Sequence, residues 1–290
     1  MKLFICSFFI LFTVVVQAEV IDITSNDFSE IRALYDQEAD SNNKALLVFD
    51  MDDTLLTMSQ PLGGVGWWDW QSNLLATNPT SDKLVANNFI DLLKVQNFLF
   101  SMVKMSPTDE SVVPFLQDLS KQSVSAMVLT ARSPDLISTT MVQFEENGFV
   151  DEQKQLVFKT TKPQLLKSAT NEAGVFNCPE LNRKAYYNQG MLFVSGGNKG
   201  KALHCILKNA KKKFKTVLFV DDASSNSNAV RAAFMDDTQY KVFNILYSRE
   251  HAKEALFLGS AELQTEVDAQ WKNIKNVIGQ NIKQPRIPNL

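Results

Sequence analysis

The chain has 290 residues, 45 % hydrophobic and 21 % charged, an ordinary globular composition with room for one large or two modest domains. A net charge of -3 with no dominant basic block argues against nucleic acid as a partner. The short run Lys211-Lys212-Lys213 fits the solvated end of a helix, where it also complements the helix dipole.

Residues 1–18 stand apart. Lys2 precedes an apolar stretch over 3–16, and Val16-Gln17-Ala18 supplies small residues where a signal peptidase reads. They read as a secretory signal cleaved after Ala18, since the run is short for a membrane span. No second long apolar run follows, so the mature chain is expected in the periplasm or outside the cell, without a membrane partner. Two cysteines remain after cleavage, Cys178 and Cys205. An oxidising compartment permits a bridge between them. A helical position for Cys205 fits simple core packing as well.

Residues 24–38 read as a helix entered through Ser25 or Asp27, with Phe28, Ile31, Leu34 and Tyr35 on one face. The apolar run 45–49 follows and reads as a buried strand of a parallel sheet. It ends abruptly in Asp50-Met51-Asp52-Asp53-Thr54, which puts carboxylates at the carboxyl end of the strand, where open α/β sheets bind ligands. The stretch 57–107 is too long for a plain connection and reads as an inserted helical cap. It holds a loop rich in glycine and tryptophan over 62–70. It also holds a helix carrying Val85, Phe89, Leu92, Leu93 and Phe100. Trp67, Trp68 and Trp70 either stack on an aromatic leaving group or pack the insert's own core.

A helix over 109–121 leads to a second strand, 124–130. Ser133-Pro134 then opens a helix with serine at the N-cap, which Gly148 ends. Leu156-Val157-Phe158 reads as a short strand and 191–195 as a better one. Between them Pro163, Gly174 and Pro179 mark a hairpin-like excursion or a small second insert. Gly196-Gly197-Asn198-Lys199-Gly200-Lys201 opens a helix whose apolar face is Leu203, Ile206, Leu207 and Ala210. The strand 216–220 ends in Asp221-Asp222. A last strand, 242–246, precedes a terminal helix carrying Leu263, Val267, Trp271, Ile274 and Ile278, and a polar tail after Gly279 is expected to fray. Strands alternating with helices predict an α/β fold, a parallel sheet with helices on both faces.

An acidic N-cap needs one carboxylate, not three in four positions, so Asp50, Asp52 and Asp53 point to chemistry rather than capping. Four strand-end features stand in order: Asp50-x-Asp52-x-Thr54, Thr130, Lys199 in its glycine-rich turn, and Asp221-Asp222 followed by Asn226. Together, over most of 44–246, they resemble the four motifs of the haloacid dehalogenase (HAD) superfamily, mostly phosphohydrolases. Within it the chain most resembles a family of exported bacterial proteins, a resemblance that supplies no substrate.

The resemblance implies a three-layer α/β sandwich with a parallel central sheet, its core built from 19–56 and 108–290 and its helical cap from 57–107. It implies that Asp50 is the nucleophile and Asp52 the general acid/base. Thr130 would hold a phosphoryl oxygen, although a strand-ending threonine also caps turns. Arg132 would either approach the phosphate or point to solvent. Lys199, with Lys201 as its rival, would neutralise the repulsion between nucleophile and phosphate. Mg2+ would be held by Asp50, the Asp52 main-chain carbonyl and Asp222, with Asp221 as a supporting or alternative ligand. Thr54 and Asp53 are expected to be structural and solvated or capping, respectively. His204 and His251 read as core or surface residues. The implied activity is Mg2+-dependent hydrolysis of a small phosphorylated substrate or a phosphopeptide. Phosphotransfer to an alcohol, or a non-catalytic binding module, are the alternatives.

Overall fold

The run 45–49 lies in the middle of the sheet. The computed structural model describes residues 19–38, 45–122, 124–160, 173–210 and 213–283. The expected signal at 1–18, Pro163, Lys211, Lys212 and the tail from 284 on lie outside these residues. An edge strand, β1 (Glu19–Ser25), precedes helix α1 (Phe28–Glu38). Then come β2 (Ala45–Phe49), β3 (Leu56–Met58), α2 (Val65–Thr77), α3 (Phe89–Met102), β4 (Met105–Pro107), α4 (Val112–Lys121) and β5 (Ser125–Thr130). A 3-10 turn at Pro134–Leu136 leads into α5 (Ile137–Glu146), and a short α6 (Val157–Thr160) precedes β6 (Ala173–Phe176), β7 (Ala185–Asn188) and β8 (Met191–Phe193). The chain continues through α7 (Lys199–Asn209), β9 (Thr216–Asp221), α8 (Ser224–Phe234), β10 (Lys241–Tyr247), α9 (His251–Gly259) and α10 (Ala261–Asn281).

The fold is α/β. Among the described residues its central sheet has eight strands in the order β1-β10-β9-β2-β5-β8-β7-β6. From β1 to β8 in that order every pair is parallel, and β7 and β6 add an antiparallel margin. Alternation along β2 splits its side chains between two faces. Leu47 and Phe49 join Phe28 and Ile31 of α1, Phe115 and Leu116 of α4 and Phe144 of α5. Leu46 and Val48 join Leu203 and Ile206 of α7 and Val230 and Phe234 of α8. Helices therefore cover both faces. Cys178 and Cys205 form a disulfide on the second face, with Cα atoms 5.8 Å apart, which ties the segment before β7 to α7.

Several elements differ from expectation. Residues 24 and 25 belong to β1, not to a helix, and α1 begins at Phe28. An edge strand is half-exposed, so Val20, Ile21 and Ile23 among polar residues make a weak apolar signal. The glycine-tryptophan stretch is largely helix α2 rather than loop. Gly66 lowers helix propensity there, but the packing uses it: an added Cβ would lie 3.3 Å from Phe257 Cδ1 of α9. Leu156-Val157-Phe158 holds no strand; Leu156 makes an isolated bridge to Val150 and α6 starts at Val157. Three apolar residues do not distinguish the two periods. Helix α10 runs on through Asn281, past the expected fraying point at Gly279.

The stretch 57–107 carries α2 and α3 between the two strands of a small antiparallel ribbon, β3 and β4. Its apolar residues, including Trp67, Trp70, Leu92, Val95 and Leu99, join Phe257 of α9 and Val267 and Trp271 of α10 in a third cluster. Trp67 and Trp70 are buried in it, which settles these two as packing residues.

At Gly200 the backbones of α7 and α8 touch, because an added Cβ would sit 2.0 Å from Ala229 O. Gly200→Ala should gain about 1 kcal/mol of helix propensity and lose more by forcing the helices apart, since overpacking costs about 1–3 kcal/mol or more. A urea titration should show a lower midpoint for the variant. A midpoint above wild type would contradict the close approach.

Candidate active site

The register of β2 decides what meets at its end. Phe49 pairs with Val128 of β5 on one side and Val220 of β9 on the other. The Asp50 N–H donates to the Val220 carbonyl at 2.8 Å, so the ladder continues into the acidic turn. Asp50, Asp221 and Thr130 thus reach the same edge of the sheet from neighbouring strands. The turn after β8 is bonded onto the turn after β5: Ser195 N–H donates to Arg132 O at 3.1 Å and Gly196 N–H to Ala131 O at 2.7 Å. Asn198 caps α7, its side chain accepting the Lys201 N–H at 2.9 Å.

Lys199, the first residue of α7, is fully buried and points into the acids. Its Nζ lies 2.6 Å from Asp50 Oδ1 and 2.8 Å from Asp221 Oδ2. Lys201 is exposed. Between the two rival lysines the structure brings Lys199 to the carboxylates.

Asp50, Asp221 and Asp222 offer oxygens that all lie within 4.8 Å of one another. Burial, together with Asp221 and Asp52, raises the Asp50 carboxyl to about 7 against the pull of Lys199. Burial first, then Asp221 and Asp50, pushes Asp222 well above the usual carboxylate range. Burial alone would lower the Lys199 ammonium, but Asp221 and Asp50 outweigh it and hold it above its ordinary value. One lysine therefore cannot offset the three carboxyls once they ionise, and the cluster is a buried set of hard oxygen donors. Such a set fits a divalent cation of the Mg2+ type.

The residues around this cluster hold it rigidly. Thr54 Oγ1 accepts the Asp222 N–H at 3.1 Å and donates to Asp222 Oδ1 at 3.2 Å, clipping the two acidic turns together. Asp221 Oδ1 accepts from Ala223 N at 3.0 Å and Asn226 Nδ2 at 2.9 Å. His251 Nε2 lies 2.8 Å from the Asp222 carbonyl, a contact that no local pattern in the chain foreshadows. Asp53 is buried, with φ of 54°, rather than solvated, and burial raises it to about 6 although the Thr57 hydroxyl pulls the other way.

Asp52 and Thr130 are engaged differently from the cluster. Arg132 is buried and points neither to solvent nor to the acid cluster. Its Nε and Nη2 grip Asp52 Oδ2 and Oδ1 at 2.9 and 2.7 Å. Thr130 Oγ1 accepts the Arg132 N–H at 3.1 Å, the turn-capping arrangement, while a hydroxyl also carries a donor. Thr140 and Gln143, buried polar residues of α5, receive the remaining arm of the arginine. Their inward position on an otherwise apolar face is the one signal in the sequence that a buried charge waits opposite.

Between their ordinary value of 3.8 and their raised native values, Asp50 and Asp222 take up protons on folding. Both carboxyls therefore favour the fold at low pH; the Asp50 share is lost as pH rises from 3.8 through about 7, and the Asp222 share as pH rises through its own raised value. A cation held by these carboxylates would compensate in the same range. Mg2+ at a hundredfold excess over its Kd should add about 2.7 kcal/mol to the unfolding free energy, and more at about pH 8 than at about pH 5, where protons compete. Asp222→Asn should abolish the increment and, in EDTA, raise stability above wild type by removing repulsion. Thermal melts with Mg2+ and with EDTA decide this; an equal Mg2+ shift in the variant would rule out Asp222 as a ligand.

No curated protein and no solved structure is matched by the chain. Residues 24–284, which take in every element from α1 to α10, match the family described as protein of unknown function (DUF2608), and the chain belongs to that family.

Proposed function

We propose that the protein is a Mg2+-dependent phosphomonoester hydrolase of the HAD type that works through an aspartyl-phosphate on Asp50. The observation that carries the reading is the buried Lys199 ammonium held between Asp50 and Asp221, with Asp222 in the same cluster. A salt bridge built only for stability has no need of three carboxylates around one lysine, because the surplus charge costs stability. An anionic substrate and a metal ion would both use that arrangement.

In this reading Asp50 Oδ attacks phosphorus and the ester P–O bond breaks. Asp52 gives its proton to the departing oxygen. Water then attacks the phosphoryl group, its proton passes to Asp52, and the bond to Asp50 breaks to release inorganic phosphate. Lys199 offsets the repulsion between the Asp50 carboxylate and the phosphoryl oxygens. Thr130 supplies its hydroxyl hydrogen to a phosphoryl oxygen. A Mg2+ ion held by Asp50, the Asp52 carbonyl and Asp222, with Asp221 beside it, would supply further neutralisation of the transferring group.

The stretch 57–107 acts as a cap over the strand ends and selects among small phosphorylated substrates or phosphopeptides. Its shared cluster with α9 and α10 supports a cap seated on the core. Trp68 is half-buried against Phe89, with ring centroids 5.8 Å apart; it is less buried than Trp67 and Trp70, and in this reading it is the one that meets the substrate. The disulfide supports export to an oxidising compartment, the periplasm or the outside of the cell.

Phosphate release should be screened over phosphorylated metabolites, nucleotides and phosphopeptides, with Mg2+ and then with EDTA. Activity is expected with Mg2+ alone, and Asp50→Asn should lower it on the order of 10^4-fold without changing the circular dichroism spectrum. Activity within severalfold of wild type would remove Asp50 from its role. Trp68→Ala should change the ratio of rates between large and small substrates, whereas Trp67→Ala should cost about 3–5 kcal/mol of stability. Equal losses on all substrates from a folded Trp68→Ala would exclude it from selection.

A further inference from the structure

The arginine that follows the second motif has every part of its side chain occupied. Nε and Nη2 take both oxygens of Asp52. Nη1 donates to Thr140 Oγ1 at 2.9 Å and Gln143 Oε1 at 2.7 Å. Phe100 of α3 lies over the guanidinium, 4.1 Å from Cζ to the ring centroid, and Met105 Sδ of β4 lies 3.1 Å from Nη2. Gln143 in turn donates from Nε2 to the Phe100 carbonyl at 2.8 Å. Arg132 therefore joins three parts of the molecule: Asp52 at the reacting edge, α5 on the sheet, and the far end of the stretch 57–107.

A lone carboxylate beside a strand end can rotate about its χ2 bond. A fork-to-fork pair with a guanidinium fixes both oxygens in one plane, which no lysine can do. The plane of the guanidinium is itself set by the Phe100 ring beneath it and by Gln143 at its edge. We propose that Arg132 is a positioning residue which fixes the orientation of the Asp52 carboxylate for proton transfer to and from the reacting oxygens, and that the stretch 57–107 sets this orientation through Phe100. The proposal rests on the hydrolase reading and assigns Arg132 no contact with substrate. It makes the cap a participant in the acid/base step, since a shift of Phe100 moves Gln143 and the guanidinium together.

The test is a double-mutant cycle on the full mature chain with p-nitrophenyl phosphate and Mg2+. Arg132→Lys keeps the charge but offers no fork. It should lower kcat about 10- to 100-fold with little change in KM, the scale of a misplaced acid/base group. In an Asp52→Asn background the same substitution should change kcat by less than about twofold, because the group it acts through no longer transfers protons. Phe100→Leu and Gln143→Leu, which leave Arg132 in place, should show the same pattern with smaller losses, and they carry the comparison if Arg132→Lys does not fold. Equal losses in the wild-type and Asp52→Asn backgrounds, or no loss in either, would overturn the positioning role. A folded wild type that releases no phosphate from this ester or from the broader panel would overturn the hydrolase reading instead.

Discussion

The acid cluster at the carboxyl edge of the sheet depends on one buried ammonium among carboxylates. Lys199 meets Asp50 and Asp221 at ion-pair distance while fully buried, so its position leaves little tolerance. That position is set by backbone. The turn over 195–198 is bonded to the turn after β5, Asn198 caps α7, and Gly200 lets α7 lie directly against α8. The helix that delivers the lysine is thus fixed at its first turn by two neighbouring loops and a second helix. A desolvated cation is costly unless paired, and here the pairing is provided by two strands adjacent in the sheet but separated in sequence by about 170 residues.

Much of the site was legible in the sequence because its residues adjoin apolar runs. Asp50 and Asp221 follow 45–49 and 216–220, where unbroken apolar runs mark the strands. The glycines before Lys199 gave away the turn that aims it. Engagements between distant residues were not legible. Arg132 is not turned to solvent but grips Asp52, a partner 80 positions away that no local pattern names. His251 contacts the Asp222 carbonyl only because α9 folds back over the acidic turn. Cys205 on a helix reads more readily as core packing than as a disulfide partner, yet it pairs with Cys178, because the fold brings their Cα atoms to 5.8 Å.

Local signals failed where tertiary packing overrode propensity. Gly64 and Gly66 flank a helix start that reads as loop, yet α2 forms because its tryptophans are buried against α9 and α10. In β1, Glu19, Asp22 and Thr24 interrupt the apolar pattern, and its partner β10 lies more than 200 residues on. A core confined to the stretch 57–107, one of the two readings of its tryptophans, gives way to a core shared with residues 257–271.

That sharing has a bearing on the order in which the chain can fold as it is made. The apolar faces of α2 and α3 emerge from the ribosome well before Phe257, Val267 and Trp271, which cover them. The pairing of β1 with β10 waits for the same late segment. Until β10, α9 and α10 appear, the nascent protein therefore carries an uncovered tryptophan-rich surface and an unfinished sheet margin, a state in which chaperones or premature association compete with folding. Long-range closure of this kind slows the final step, and it makes α9 and α10 the piece that closes this part of the molecule.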